Sequence, residues 1–171
     1  MAQLWNPAAT DLPSPRWNEG LSSFLEYRVE EQFTGRPASA RADRLVAWLR
    51  EIAPGRERLT RVPLIDYGKE QMTDYSYSVG ALLFHLLYDV VGPEPFRAII
   101  GGFSRTYATS GASTRDLAAF ASRTSGMDLK PLFDDWVLTT DWWPAIQDGA
   151  TYAHLVQRYR SAGRDRAPAP R

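Results

Sequence analysis

The chain has 171 residues, and its 20 basic and 20 acidic side chains give a formal net charge of zero. A neutral balance argues against a general nucleic-acid binder, which needs a basic surface, and the lack of cysteine excludes disulfides and cysteine zinc sites. An apolar content of 44% over this length predicts one domain with a sizeable core. No apolar run reaches the length of a membrane span, and the first residues lack a charged-then-apolar leader. These features do not indicate a cellular compartment.

Two amphipathic helices are predicted after an irregular, proline-containing segment at residues 1–16. The first spans residues 18–33, because apolar side chains recur there three and four positions apart; they are Leu21, Phe24, Leu25, Val29 and Phe33. Gly35 and Pro37 end this helix, and a second helix follows over residues 38–52. Residues 54–74 show no helical period, so they form either a functional loop or an extended segment packed across the helices.

Four further helices complete the predicted fold. Residues 77–91 are apolar on nearly every side, which predicts a buried central helix. A fourth helix begins near Pro95, a fifth opens with a capping box from Ser113 to Asp116, and a sixth begins near Asp128. Residues 150–156 are predicted as a short strand or a last helical turn, and residues 157–171 as a disordered basic tail rich in Arg, Ala and Pro. The sequence therefore predicts an all-α fold, a single domain of about six helices within residues 1–156.

Glu19 is the first candidate for a functional residue. It lies between Trp17 and Leu21, at the start of the first predicted helix. A carboxylate at that point either stabilises the positive end of the helix dipole or serves as a ligand that points into a cleft. Acids are common in first helical turns, so its position alone favours the dipole role.

The segment Trp17-Asn18-Glu19-Gly20, followed by an aromatic-rich helix, resembles the zinc-ligand segment of the gluzincin aminopeptidases. This is the family of membrane alanyl aminopeptidase and leukotriene hydrolase. The resemblance implies that Glu19 is the third zinc ligand, while a His-Glu-x-x-His helix supplies the other two ligands and a general base. The run from Gln3 to Asn6 is similar to the residues that follow the second histidine in that family. The implied fold is the helical C-terminal half of a thermolysin-like catalytic domain.

Tyr77 is the second candidate, because it lies three residues before Gly80 at the start of the apolar helix. The same resemblance implies that Tyr77 is the catalytic tyrosine, whose hydroxyl stabilises the oxyanion. The alternative is a helix-end tyrosine with a buried ring and a solvated hydroxyl, and Tyr75 is the fallback position. The family usually shows Tyr-Glu-Lys-Gly here, with its glutamate holding the substrate amine. Ser78 replaces that glutamate, and Gly-x-Met-Glu-Asn is absent, so an endopeptidase or an inactive relative remains open.

The ligand set that the resemblance implies is incomplete in this sequence. The two histidines, His85 and His154, lie in no His-Glu-x-x-His pattern, and His85 is predicted to be a core or boundary residue on an apolar helix. We therefore expect the chain to be the C-terminal part of a zinc metallopeptidase catalytic domain, with zinc and a peptide substrate bound only in the complete enzyme. A missing N-terminal part or a partner chain would supply the rest, and this chain alone is predicted to be inactive and to hold zinc weakly. The alternative is a non-catalytic helical interaction module derived from a peptidase.

Overall fold

The structure is a computed structural model that describes residues 16 to 165. Residues 1–15 of the irregular lead-in predicted for residues 1–16, and residues 166–171 of the predicted tail, lie outside the described range. Between these limits the chain forms helices and contains no β-strand. The predicted all-α class is therefore confirmed.

Nine α-helices form the described part of the chain. In order they are α1 (Gly20–Thr34), α2 (Ala38–Ile52), α3 (Glu57–Arg61), α4 (Thr73–Val91), α5 (Pro93–Thr106), α6 (Thr114–Ser125), α7 (Lys130–Phe133), α8 (Trp143–Gln147) and α9 (Tyr152–Asp165). Three 3-10 turns accompany them, at Arg16–Glu19, Ala53–Gly55 and Leu64–Asp66. A π-helical turn, Asp134–Leu138, follows α7 directly.

The core is organised around α4, as predicted. Eleven of its residues are buried, on every side of the helix. Helix α1 makes the most extensive contact with α4, and α2, α5 and α9 also pack against α4. Helix α6 lies on α5, and α8 lies on α2.

Local signals in the sequence set the ends of the long helices. Gly35 has a left-handed φ of 67°, and its amide donates to the Glu31 carbonyl to close α1. At α6 the predicted capping box is present: the Ser113 amide donates to the Asp116 carboxylate at 2.8 Å, and the Asp116 amide donates to Ser113 Oγ at 3.2 Å. These two devices explain why α1 and α6 begin and end close to the predicted residues.

Three helices lie beyond the six predicted, α3, α8 and α9, whereas α7 with the π-helical turn corresponds to the predicted sixth helix. Helix α3 and two of the 3-10 turns occupy residues 54–74, so that segment is neither a plain loop nor an extended strand. Helices α7 and α8 have four and five residues. Elements this short carry little more than one turn of periodic pattern, and tertiary packing decides them.

The prediction of disorder from residue 157 is wrong for residues 157–165, and the strand alternative for residues 150–156 is also wrong. Residues 152–165 form α9. This helix buries Tyr152, Leu155 and Tyr159, which repeat at helical spacing. Its arginines, which suggested a solvated tail, instead bind protein acceptors: Arg158 pairs with Asp135 at 2.7 Å, and Arg160 donates to the Asp89 carbonyl.

Candidate functional site

The two residues singled out from the sequence lie where α1 crosses α4. A Cβ added at Gly20 would lie 2.2 Å from the Gly80 carbonyl carbon and 2.3 Å from the Ala81 amide nitrogen. Real Cβ atoms essentially never approach that closely, so the backbones of the two helices are in direct contact. Only glycine at position 20 permits this approach.

Glu19 lies directly beside this contact. It is the last residue of the 3-10 turn Arg16–Glu19, which itself packs on α4, and only 4% of Glu19 is exposed. Its carbonyl accepts a hydrogen bond of 2.7 Å from Ser22 Oγ, which fixes the first turn of α1. The neighbouring Asn18 is also buried.

Tyr77 lies one helical turn before Gly80, at the N-terminal end of α4, and is half-buried. The crossing therefore places the segment of Tyr77 and the segment of Glu19 at the same end of the α1–α4 interface. Tyr75, the fallback, turns elsewhere: its ring centroid lies 6.3 Å from that of Trp48, and it lines a cavity of about 300 Å³ with Arg56 and Met72.

His85 is enclosed between α1 and α4, as the core interpretation predicted. It is 2% exposed, with the Phe24 ring edge-on at 4.9 Å and the Tyr27 ring stacked at 5.9 Å. Its Nε2 has no hydrogen-bond partner among the described residues. Burial, together with the positive charges of Arg28 and Arg41, lowers the pKa of His85 from 6.5 to about 4. His85 is therefore neutral at pH 7, while the other histidine, His154, is exposed on α9.

The two arginines near His85 are held by tyrosines. The Arg28 guanidinium lies 4.4 Å from the Tyr88 ring centroid and donates to its hydroxyl, and Arg41 makes the same pair of contacts with Tyr27. Sequence reasoning missed this arrangement, because it joins residues from three helices.

Within residues 16 to 165, no group of three or more histidine, aspartate or glutamate side chains gathers where it could hold a metal ion.

A second polar region lies beneath α9, around the π-helical turn. Trp136 is fully buried, stacks on Trp142 at 5.2 Å and donates from Nε1 to the Tyr159 hydroxyl at 3.0 Å. That hydroxyl in turn donates to Asp135 at 2.9 Å, and burial raises the pKa of Tyr159 well above its usual range. Hydrogen bonds from Trp136 and Tyr159 thus join the π-helical turn to α9.

A cavity of about 530 Å³ opens beside the same turn. Its lining mixes basic and acidic side chains, including Arg115, Lys130, Asp134 and Asp141. Lys130 and Asp134 already form an ion pair across it, so the lining favours no single charge of ligand.

Comparisons with models of known families, with curated proteins and with solved structures found no match to this chain. Across residues 16 to 165, every helix is too short or too polar to cross a membrane.

Proposed function

We propose that this chain is the part of a gluzincin-like zinc peptidase that contributes Glu19 as the third zinc ligand and Tyr77 as the oxyanion donor. The resemblance of the Trp-Asn-Glu-Gly and Tyr-x-x-Gly segments carries the identity of the two residues. The remaining ligands and the general base do not occur in this sequence as a His-Glu-x-x-His motif. By itself the chain neither cleaves peptides nor retains zinc.

The observation that supports this proposal is the contact between Gly20 and Gly80. Each glycine belongs to one of the two motifs, next to Glu19 in the first and three residues after Tyr77 in the second. Two motifs whose glycines lie 60 residues apart in the sequence and meet backbone to backbone are suited to hold two side chains of one site in register.

Tyr77 has the chemistry that its proposed role needs. A phenol is a neutral donor at pH 7, so its hydroxyl hydrogen bond strengthens only when negative charge develops on the substrate oxygen. One well-placed donor of this kind lowers a barrier by about 2.7–4 kcal/mol, which is roughly a hundredfold to a thousandfold in kcat. Tyr77 lies near the N-terminal end of α4 and is partly exposed.

The test begins with peptide mapping of the native protein from its source, to find whether a His-Glu-x-x-His segment belongs to the same polypeptide or to a chain that copurifies with it. In that native material, Glu19→Gln is expected to lower the zinc content. Tyr77→Phe is expected to leave the zinc content unchanged and to lower kcat about a hundredfold or more. The matched controls are Tyr75→Phe, two residues away, and Glu26→Gln, on α1, which begins directly after Glu19.

Two results would remove this proposal. One is about one equivalent of zinc together with peptide turnover in the 171-residue chain alone, because Glu19 would then not be its only ligand. The other is a native protein in which Tyr77→Phe and Tyr75→Phe change kcat equally, because no specific oxyanion donor would then exist.

A second candidate function, a non-catalytic helical interaction module, is favoured by a different observation. Leu25, Val29 and Phe33 of α1 are the exposed large apolar side chains of the described residues, and they form one row. A module of this kind would keep its binding when Glu19→Ala and Tyr77→Phe are introduced together, whereas a peptidase site would lose function.

A further inference from the structure

An apolar row runs along the outer face of α1. Leu25, Val29 and Phe33 are 40%, 52% and 85% exposed, and their spacing of four residues places them on consecutive turns. Over eight residues the row is about 12 Å long. Single exposed apolar residues are ordinary on protein surfaces, but three in line on one helix form a ridge that another helix could accept in a groove.

An acidic row runs beside the apolar row. Glu26 and Glu30 are exposed, each follows a member of the apolar row in the sequence, and they are themselves four residues apart. Neither carboxylate forms an ion pair with any residue between 16 and 165. The nearby Glu31, by contrast, pairs with Arg28 at 2.7 Å and also accepts the Ala38 amide.

This uncompensated charge decides the kind of partner. Two carboxylates at i and i+4 repel each other on a helix surface, and a basic side chain from outside would relieve that repulsion. A second copy of α1 would instead bring two more carboxylates to the same edge, which disfavours self-association.

We propose that the apolar row and the acidic row of α1 together bind an amphipathic helix of a partner polypeptide. The partner helix presents an apolar seam to Leu25, Val29 and Phe33, and a flanking row of lysine or arginine to Glu26 and Glu30. Recognition follows the helix-to-helix mode, in which apolar anchors give affinity and flanking charges give selectivity. This binding surface is separate from Glu19 and Tyr77, so it does not depend on the proposed catalytic role.

The experiment uses the full 171-residue chain and two synthetic amphipathic helices of about 20 residues. Both peptides carry the same leucine seam; one carries a lysine row beside it and the other a glutamine row. Fluorescence anisotropy measures the dissociation constant of each peptide. We expect the lysine peptide to bind about fivefold more tightly or better, as two exposed ion pairs would give, with a preference that declines as salt is added.

Three variants locate the binding. The double variant Glu26→Gln, Glu30→Gln is expected to abolish the preference for the lysine peptide. The control variant Glu51→Gln, Asp148→Asn removes the same charge from exposed acids elsewhere and is expected to keep that preference. The double variant Val29→Ser, Phe33→Ser is expected to raise the dissociation constants of both peptides at least tenfold. All of these positions are exposed, and far-ultraviolet circular dichroism checks that each variant is folded.

Three results would overturn the proposal. Failure of both peptides to bind is one, and a lysine preference that survives in the Glu26→Gln, Glu30→Gln variant is another. The third is a chain that dimerises in sedimentation experiments and becomes monomeric with Val29→Ser and Phe33→Ser, because the row would then be the interface between two copies.

Discussion

The contact between α1 and α4 makes a sharp prediction about residue 20. In a Gly20→Ala variant the new Cβ would lie 2.2 Å from the Gly80 carbonyl carbon, whereas ordinary contact begins at 3.4 Å. The helices would have to separate by about 1.2 Å along a tightly packed interface. The close atoms belong to backbone on the α4 side, so no side chain can rotate away to make room.

The expected cost follows from this geometry. Overpacking a core costs typically about 1–3 kcal/mol, and a gap of about 0.5–1 Å removes roughly a quarter to a half of the dispersion energy across it. We expect Gly20→Ala to lower the free energy of unfolding by about 3 kcal/mol, which for a chain of this size lowers Tm by about 6–12 °C. Helix propensity alone would predict the opposite sign, because alanine is the better helix former.

Urea unfolding followed by circular dichroism measures this change. Two other glycines provide the controls. A Cβ at Gly55 meets no atom within 4 Å, and one at Gly101 meets only the flexible Arg105 guanidinium, at 3.2 Å. Gly55→Ala and Gly101→Ala are therefore expected to be neutral or slightly stabilising. If the free energy of unfolding of Gly20→Ala differed from that of the parent chain by less than about 0.5 kcal/mol, α1 would not cross α4 at this point.

Two further predictions concern His85 and the α6 cap. Because the pKa of His85 is lowered from 6.5 to about 4 in the folded state, the unfolded chain binds more protons between these values, and stability is lost as pH falls from about 6.5 to 4. That loss reaches about 3 kcal/mol. Urea unfolding at several pH values should show this dependence of stability on pH in the parent chain and a weaker dependence in His85→Gln. An equal dependence on pH in the two proteins would contradict the assignment. Ser113→Ala is expected to lower the free energy of unfolding by about 1 kcal/mol, because it leaves the Asp116 amide without its acceptor. The exposed Ser110→Ala serves as its control, and an equal effect in both would argue against the cap.

Local sequence signals predicted much of the fold. The residues that follow α1 and the serine that opens α6 act within a few positions of themselves, so their effect is visible in the sequence. The uniform apolar character of α4 predicted its central place for a similar reason. Helix α9 was missed although Tyr152, Leu155 and Tyr159 recur at helical spacing. The arginines of this segment suggested a solvated tail, because their acceptors on α4 and on the π-helical turn lie far away in the chain.

The candidate site was likewise predicted only where local sequence patterns define it. Pattern and resemblance named Glu19 and Tyr77, but the meeting of Gly20 with Gly80 is a contact between distant residues that only the folded chain reveals. The enclosure of His85 was predicted from its apolar neighbours. The pairing of Arg28 with Tyr88 and of Arg41 with Tyr27 was not, since no spacing rule relates residues on different helices.

The long-range bonds of residues 146–160 have a consequence for how the chain is made. Arg50 on α2 donates to the carbonyls of Ile146 and Ala150, about a hundred residues later, and Tyr152 donates to Asp89 at 2.6 Å. A ribosome adds about 5–20 residues per second, so α2 would emerge roughly 5–20 s before these acceptors. During that interval α2 can already pack against α1 and α4, but the guanidinium of Arg50 and the part of α2 that contacts α8 and α9 lack their final partners. Completion of the native fold would thus be timed by the synthesis of α8 and α9.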